Sequence, residues 1–549
     1  MTILTLNKKE LEDKMGVPVE KIEEKITMMG TPVENVTDSE VSVEVFPNRP
    51  DLLSLQGFAR SLKQYLGRGG AASFKVKKSG EKLLVEKSLP KEWPYAIACI
   101  VKGIKFDDEK IKEVIDIQEK LGEGVLRKRK KGGIGLYPLE KIKFPIKFVG
   151  MNPDEIKFRP LEFPKVITGR QILRQHPTGR DYASICQDWD AFPVFVDDEK
   201  TIMSMPPIIN SHEVGKISET TSDVFLEATG PNLQVLQKAF NIMVTALSDM
   251  GGQIYSIECK QQNGQVVTVP ELEPEKLEFK IENVNRTLGL DLSEKDVRGY
   301  LGQMGLGFEK AGGKVYALVP AYRTDILHWV DIAEEVAIAY GYDNFEPEIA
   351  EIATIGDEDK SAKVKKAIGN VLTGLGLFEV SSFHLAKKRD VKKMHFDFKD
   401  WIEIEDSKTE YGVLRIDLLS NLLKILAENS DAQYPQKIFE LGKVFSLGGE
   451  NETGIDEKEK LAICLADEKI SFTDLKSVLD YLFKMIGVDD WKIEEIENSN
   501  FIPGRVGKVI VNGSEVGVVG EVAPRVLKNW KIKVPVVAVE IDLDWILLS

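Results

Sequence analysis

The chain has 549 residues, 43% hydrophobic and 29% charged, ordinary globular usage and enough length for roughly three or four domains. Acidic residues outnumber basic ones 88 to 73, a net charge of −15 that excludes non-specific wrapping of nucleic acid by a basic body but not a local basic patch. No apolar run approaches the ~18 residues of a membrane span, and the first residues show no signal-peptide core. Cys99, Cys186, Cys259 and Cys464 are scattered with no Cys-x-x-Cys pair, so a secreted, membrane or zinc-ribbon protein is excluded and a cytoplasmic one with reduced core thiols is expected.

In residues 1–85, an N-terminal module, periodicity predicts helices over Lys8–Met15 and Val19–Met29 and a strand over Glu40–Phe46. The turn Asn48-Arg49-Pro50-Asp51-Leu52-Leu53-Ser54 opens a helix to about Leu66, with Pro50 fixing φ and Asp51 as the expected cap. Gly67–Ala72 ends that helix. Residues 90–268 read as α+β, with strands Tyr95–Ile104, Pro193–Val196, Asp223–Ala228 and Ile254–Cys259 and helices Asp108–Leu121 and Leu233–Met250. Val269–Lys276 reads as a linker. Within 270–347 the pattern predicts helices Ile281–Leu288 and Ser293–Met304, a hairpin Gly307–Val319 and a helix from about Ile326, a winged-helix-like plan. A charged linker at Asp357–Lys360 leads into 356–549, where strands and helices alternate around a loop at Gly448–Lys458. The fold class is α+β and multidomain.

Three stretches bear on chemistry. In Arg323-Thr324-Asp325-Ile326-Leu327-His328-Trp329-Val330-Asp331-Ile332-Ala333-Glu334-Glu335, the i, i+3, i+4 spacing puts Asp331, Glu334 and Glu335 on one helix face, with Asp325 just upstream. Like charges so close repel and call for a cation: Mg²⁺, or a partner's arginines and lysines. Arg127-Lys128-Arg129-Lys130-Lys131 is a basic run on an acidic chain, suited to a phosphate backbone or to solvent. His176-Pro177-Thr178-Gly179 and Ser204-Met205-Pro206-Pro207 lie in loop-rich sequence beside Phe225-Leu226-Glu227-Ala228-Thr229-Gly230, where a glutamate among apolar neighbours points into a pocket. There is no His-Glu-x-x-His, no Gly-Lys-Ser/Thr phosphate loop and no Gly-x-Ser-x-Gly elbow. A stand-alone Mg²⁺-dependent phosphotransferase, the rival reading of the acidic cluster, therefore lacks its phosphate-binding glycine loop.

These landmarks together resemble the beta subunits of phenylalanyl-tRNA synthetases in their shorter, archaeal-type form. The likeness rests on Asn48-Arg49-Pro50-Asp51-Leu52, Gln118 with Arg127-Lys128-Arg129, His176-Pro177-x-Gly179, and Ser204-Met205-Pro206-Pro207-Ile208-Ile209-Asn210-Ser211. It continues through Arg323-x-Asp325 to Glu334-Glu335 with Tyr340-Gly341-Tyr342, Phe439-Glu440-Leu441-Gly442-Lys443-Val444-Phe445, and Gly517-x-x-Gly520-Glu521. The chain departs from the pattern at Ala523, where relatives often carry an imidazole, and its length leaves no room for the extensions of the long bacterial form.

The resemblance implies an N-terminal module (1–85), an α/β tRNA-editing domain (90–268), a winged-helix-like domain (270–347) and a class II synthetase-like antiparallel-sheet domain (356–549) without catalysis of its own. It implies assembly of two alpha and two beta chains, with alpha attaching phenylalanine to tRNA(Phe) using ATP. It also implies Mg²⁺ held by Asp325, Asp331, Glu334 and Glu335 at the alpha contact. Class II adenylate formation needs arginines on the ATP phosphates. The last block offers Arg415 and Arg505 but no Gly-x-Gly-x-x-Arg, a string found only at Gly122–Arg127, so this chain is not expected to activate phenylalanine alone.

The expected editing substrate is Tyr-tRNA(Phe), because a pocket built for phenylalanine rejects one added hydroxyl only weakly. Glu227 is the expected acceptor for the phenol, with Thr229 two residues on. Gln118, Arg129 and Ser204 match further pocket positions: Arg129 for the terminal adenosine's phosphate, Ser204 for the ester or its water, and Phe195 for an apolar wall. No nucleophile is apparent, so water is the expected attacking group, helped by a ribose hydroxyl of the tRNA.

Overall fold

The computed structural model describes residues 2–405, 407–448 and 451–547, which fall into two compact units, Met1–Ile349 and Ala350–Ser549. The 1–85, 90–268 and 270–347 blocks thus share the first unit. Its N-terminal sheet pairs Thr2–Asn7 and Val33–Val36 with the central strand Glu40–Val45, whose alternate residues Val41, Val43 and Val45 are buried. Lys8–Met15 is the expected helix, whereas the longer Val19–Met29 pattern resolves into a 3-10 turn, Val19–Lys21, and a helix, Glu23–Met28.

The helix after the Arg49-Pro50-Asp51 turn runs Leu55–Tyr65 and is capped by Ser54, which accepts from the Gly57 N–H at 3.0 Å. Asp51, the expected cap, is held instead by Arg49 through two 2.9 Å hydrogen bonds, because a carboxylate so deeply buried requires a cation. Only glycine fits at Gly57, where a Cβ would stand 1.9 Å from the Asp51 carbonyl oxygen.

A ten-stranded sheet dominates the unit. Val76–Val85 belongs to it, pairing in parallel with Gln253–Lys260 and with Ile146–Met151, so the sheet extends back across the boundary drawn at residue 85. The fully buried strand Val224–Gly230 lies between Tyr95–Lys102 and Gly133–Pro138, both antiparallel to it. Gly133–Pro138 is one edge, and the short strand Ile209–Asn210 is the other. The sheet curls until these edges meet through side chains: the Tyr137 hydroxyl stands 2.7 Å from Ser204 Oγ, and Asn210 Nδ2 donates to the Leu136 carbonyl at 3.4 Å.

The linker expected at Val269–Lys276 is shorter, because Val266–Val269 pairs with Gln253–Lys260 and Glu275–Phe279 pairs with Lys314–Val319. The expected hairpin is therefore part of a three-stranded sheet, packed with helices Ile281–Leu288, Glu294–Gln303 and Trp329–Tyr340.

The second unit is built on a seven-stranded sheet, antiparallel except where Phe378–Glu379 runs parallel to Gln436–Leu447. Strand Ile455–Ala466 separates two cores: Leu461, Ile463 and Leu465 pack with helices Lys360–Gly374 and Phe472–Met485. Ala462, Cys464 and Ala466 face helices Leu419–Glu428 and Pro524–Trp530. The expected Gly448–Lys458 loop is shorter, because Ile455–Lys458 belong to that strand's start, with Gly449 and Glu450 outside the described residues. All four cysteines are free and buried, and among the described residues no helix is long and apolar enough to cross a membrane.

Candidate functional site

A pocket of ≈ 330 Å³ opens at the seam where the two sheet edges approach. Gln118 and Arg129 line it from one side, Pro207 and Asn210 from the other, and Glu227 from the sheet. Strand register explains the carboxylate's place. Glu227 sits opposite Gly135 and Ala98, so no neighbouring side chain fills the space above it. A Cβ on Gly135 would lie 2.3 Å from Glu227 Oε1 and 2.9 Å from the Tyr137 hydroxyl oxygen. The missing side chain makes room for the acid.

Glu227 is 2% exposed and forms no ion pair among the described residues. Burial pushes its pKa up to about 8, against a smaller opposing effect of the Tyr137 hydrogen bond, so the neutral acid predominates at pH 7. Burial, then the nearby Glu227, also raises the Tyr137 phenol. That phenol stands 2.7 Å from Ser204 Oγ and 3.2 Å from both Asn210 Oδ1 and Glu227 Oε1. One hydroxyl proton cannot be donated to three acceptors. A protonated Glu227 resolves the conflict by donating to the Tyr137 oxygen while Tyr137 donates to Ser204. Glu227 Oε2 then remains an acceptor, and both it and the Thr229 hydroxyl are buried without a hydrogen-bond partner among the described residues. Glu227 and Thr229 share a face of the strand, two residues apart. Unpaired polar atoms of this kind cost about 1–3 kcal/mol each unless a ligand or water meets them.

Gln118, Arg129 and Glu227 therefore gather at the pocket, while the other expected residues stand behind its wall. Gln118 Nε2 donates to the Ile134 carbonyl at 3.0 Å. Ser204 reaches the site through Tyr137, and Thr229 is fully buried. Phe195 does not form the expected apolar wall: it is fully buried with its ring centroid 4.6 Å from Phe148, so the apolar lining falls to Ile134, Pro206, Pro207 and Ile208. Its register opposite Phe148 packs that large ring on the neighbouring strand's aromatic in the core. His176 also lines the pocket; its Nε2 meets the Leu161 carbonyl at 3.1 Å, and its buried Nδ1 has no partner among the described residues. Sequence reading missed Tyr137 and Asn210. The alternation Gly133-Ile134-Gly135-Leu136-Tyr137 was the available signal for Tyr137, since it leaves one strand face bare up to the tyrosine.

Arg129 Nη1 donates to the carbonyls of Pro207 (3.1 Å) and Ile208 (2.9 Å), and its guanidinium lies 4.3 Å from the Tyr182 ring centroid. Its backbone is unusual: Arg127, Lys128 and Arg129 have φ of 47, 53 and 60°. Left-handed conformation costs roughly 1–2 kcal/mol for each residue with a Cβ. The turn folds back on the helix Asp108–Glu123, the Lys128 and Arg129 N–H groups donating to the Glu123 and Gly122 carbonyls.

The acidic cluster is differently equipped. Arg323, itself 2% exposed, binds Asp325 at 2.9 and 2.7 Å and Glu335 at 2.9 Å. Asp331 Oδ2 accepts from the Leu327 and His328 N–H groups at 2.7 Å each, a capping box that starts the helix at Trp329 rather than Ile326. Glu334 is exposed; partial desolvation, then the charges of Glu335, Asp331 and Asp325, raise its pKa. Glu335 Oε2 is buried without a hydrogen-bond partner among the described residues. The donor set is hard oxygen and suits Mg²⁺. Among the described residues, however, no three His, Cys, Asp or Glu side chains stand ready to hold a metal, so further donors would have to be water or another molecule.

In the second unit, Arg415 is buried against Glu440 (2.6 Å) and donates to the Lys443 carbonyl (2.6 Å), while Arg505 pairs with Glu521 (2.6 Å).

Comparison with known proteins agrees with this architecture. Residues 277–342 match the tRNA synthetase B5 domain, and residues 347–543 match the phenylalanyl tRNA synthetase beta chain CLM domain. The chain is 39% identical over 499 residues to the phenylalanine–tRNA ligase beta subunit of Pyrococcus abyssi, covering 90% of this chain and 89% of that one. It is 34% identical over 552 aligned positions to that of Archaeoglobus fulgidus, covering 99% and 98%. The crystal structure of an N-terminal fragment of the Pyrococcus horikoshii phenylalanyl-tRNA synthetase beta subunit matches with a TM-score of 0.59 and 32% identity, covering 62% of this chain and 99% of that fragment. The chain belongs to the phenylalanine–tRNA ligase beta-subunit family.

Proposed function

We propose that the chain works with an alpha subunit, in a complex of two alpha and two beta chains, to attach phenylalanine to tRNA(Phe), and that its seam pocket hydrolyses Tyr-tRNA(Phe). The observation that carries the hydrolytic reading is the buried Glu227, whose Oε2 has no partner among the described residues and which lines a pocket open to solvent. A phenol donates one hydrogen bond, and Glu227 Oε2 accepts it, with Thr229 buried behind the carboxyl on the same strand face. Phenylalanine leaves that acceptor unpaired, which disfavours its binding by about 1–3 kcal/mol. The apolar lining at Ile134 and Pro207 takes the ring. With no Ser–His or Cys–His pair at the pocket, water attacks the ester, and a ribose hydroxyl of the tRNA assists. ATP chemistry belongs to the alpha chain, since Arg415 and Arg505 are already committed to Glu440 and Glu521. The test is deacylation of Tyr-tRNA(Phe) by the assembled complex: Glu227→Ala is expected to lower it at least tenfold while phenylalanine charging stays near normal. Equal deacylation by wild type and variant would remove Glu227 from the site.

A second reading concerns Mg²⁺, favoured by the unpartnered Glu335 Oε2 and by the carboxylate charges converging on Glu334. Glu334, Asp331 and Glu335 would supply oxygens, with Asp325 behind them, and the ion would offset repulsion that Arg323 leaves uncompensated. A chelator is expected to lower the melting temperature of the assembled complex, and Glu334→Gln to abolish that response. A melting temperature indifferent to both would leave Arg323 as the cluster's cation.

A further inference from the structure

Arg127-Lys128-Arg129-Lys130-Lys131 is the longest run of cations in a chain of net charge −15. Arg129 turns inward to the Pro207 and Ile208 carbonyls. The other four side chains are exposed, and among the described residues none has a hydrogen-bond or ion-pair partner. The turn leads from the helix Asp108–Glu123 into Gly133–Pro138, the strand carrying Gly135 and Tyr137, so these cations lie in the chain segment bracketed by the pocket-lining residues Gly122, Arg129 and Gly133.

Cations after a helix C-terminus oppose the negative end of its macrodipole, but one or two in the last turn suffice. That account does not explain the backbone. Three successive residues adopt positive φ, which glycine would do without steric cost, yet these positions carry Arg, Lys and Arg. Strain retained together with solvent-facing charge indicates that the side chains are used.

We propose that this turn grips the phosphodiester backbone of an RNA 3′ strand whose terminal ester lies in the Glu227 pocket. Arg129 positions the turn, and Arg127, Lys128, Lys130 and Lys131 supply the electrostatic contacts. The proposal rests on the reading of the pocket as a site for aminoacylated tRNA. An acidic polypeptide offers the same charge, but the continuity of the cations with the pocket rim favours RNA.

The test uses the full chain and a deacylated tRNA transcript ending in CCA, with binding followed by fluorescence anisotropy across a KCl series. In the variant Arg127→Gln/Lys128→Gln/Lys130→Gln/Lys131→Gln, the slope of log K against log[salt] is expected to shrink by about 3, at ~0.7–0.9 per phosphate contact. Affinity should fall at least tenfold at low salt, and KM for deacylation should rise with kcat unchanged. Lys128→Gly, which relieves one left-handed position, should keep or raise the melting temperature while weakening RNA binding. An unchanged salt slope in the fourfold variant overturns the proposal, as does loss of polyglutamate binding with RNA binding intact. Stabilisation by Lys128→Gly with full RNA affinity also overturns it. If Glu227→Ala deacylates normally while the fourfold variant loses its salt-dependent binding, the hydrolytic reading fails and the phosphate-gripping turn stands.

Discussion

Two groups of buried carboxylates in the first unit meet opposite electrostatic conditions. Glu227 lies at a sheet seam with no ion-pair partner among the described residues, and burial drives it toward its neutral form. Asp325 and Glu335 lie against Arg323, which binds both. The same residue type thus becomes a neutral hydrogen-bonding group in one place and part of an ionic cluster in the other. The difference lies in what stands opposite. Gly135 and Ala98 offer Glu227 space without charge, and the sequence before the helix Trp329–Tyr340 supplies Asp325 with an arginine two residues away.

The largest expected effect breaks the ionic half of this comparison. Arg323→Met strands Asp325 and Glu335 in a buried site, and removing one partner of a buried pair costs about 3–5 kcal/mol. A strong fall in melting temperature is expected, with partial rescue in Arg323→Met/Glu335→Gln; no fall would mean that the cluster is neutralised by something else. Gly135→Ala attacks the other half. Its Cβ would meet Glu227 Oε1 at 2.3 Å and must displace the carboxyl, so Tyr-tRNA(Phe) deacylation should drop at least tenfold at near-normal helicity by circular dichroism.

Titration separates the halves further. Glu227 holds its proton in the folded state up to about 8, whereas an exposed glutamate in the unfolded chain releases it near 4.5. Between those values the folded state binds more protons, so this group makes stability fall as pH rises, by about 1.4 kcal/mol per unit, and the loss is complete above about 8. Glu227→Gln keeps a neutral side chain at every pH. It should match wild type near pH 5 and melt at higher temperature than wild type near pH 9; parallel melting curves across this range would show that Glu227 is charged throughout. The smallest effect belongs to Asp331→Ala, which removes a capping box worth about 0.5–2 kcal/mol and should lower the melting temperature by a few degrees.

Much of the fold was legible where local chemistry decided it. Lys8–Met15 and Ile281–Leu288 end at Gly16 and Gly289, both left-handed, and their apolar spacing is helical. Val224–Gly230 could be read as a strand, and Glu227 stood out in it because an acid among apolar neighbours needs a reason. What was not legible depended on distant pairing. Val76–Val85 reads as part of the N-terminal module until its partners, Gln253–Lys260, are known. Phe195 is fixed by register opposite Phe148, on which its ring packs in the core, while the Ser204 hydroxyl across from it reaches Tyr137. Tyr137 meets Glu227 through the register of adjacent strands, and only the curl of the sheet brings Ser204 and Asn210 to it. The role of Arg323 was hidden in the same way: the acidic residues advertised a cation, and nothing in their spacing said that the chain supplies one itself.

The most direct test of the central claim, that Glu227 recognises the phenol, is the ratio of deacylation rates for Tyr-tRNA(Phe) and Phe-tRNA(Phe), measured side by side in wild type and Glu227→Ala at pH 7. The account predicts a ratio well above one in wild type that collapses toward one in the variant, through loss of the tyrosyl rate alone. A ratio unchanged by the substitution, or a fall in both rates together, would contradict it.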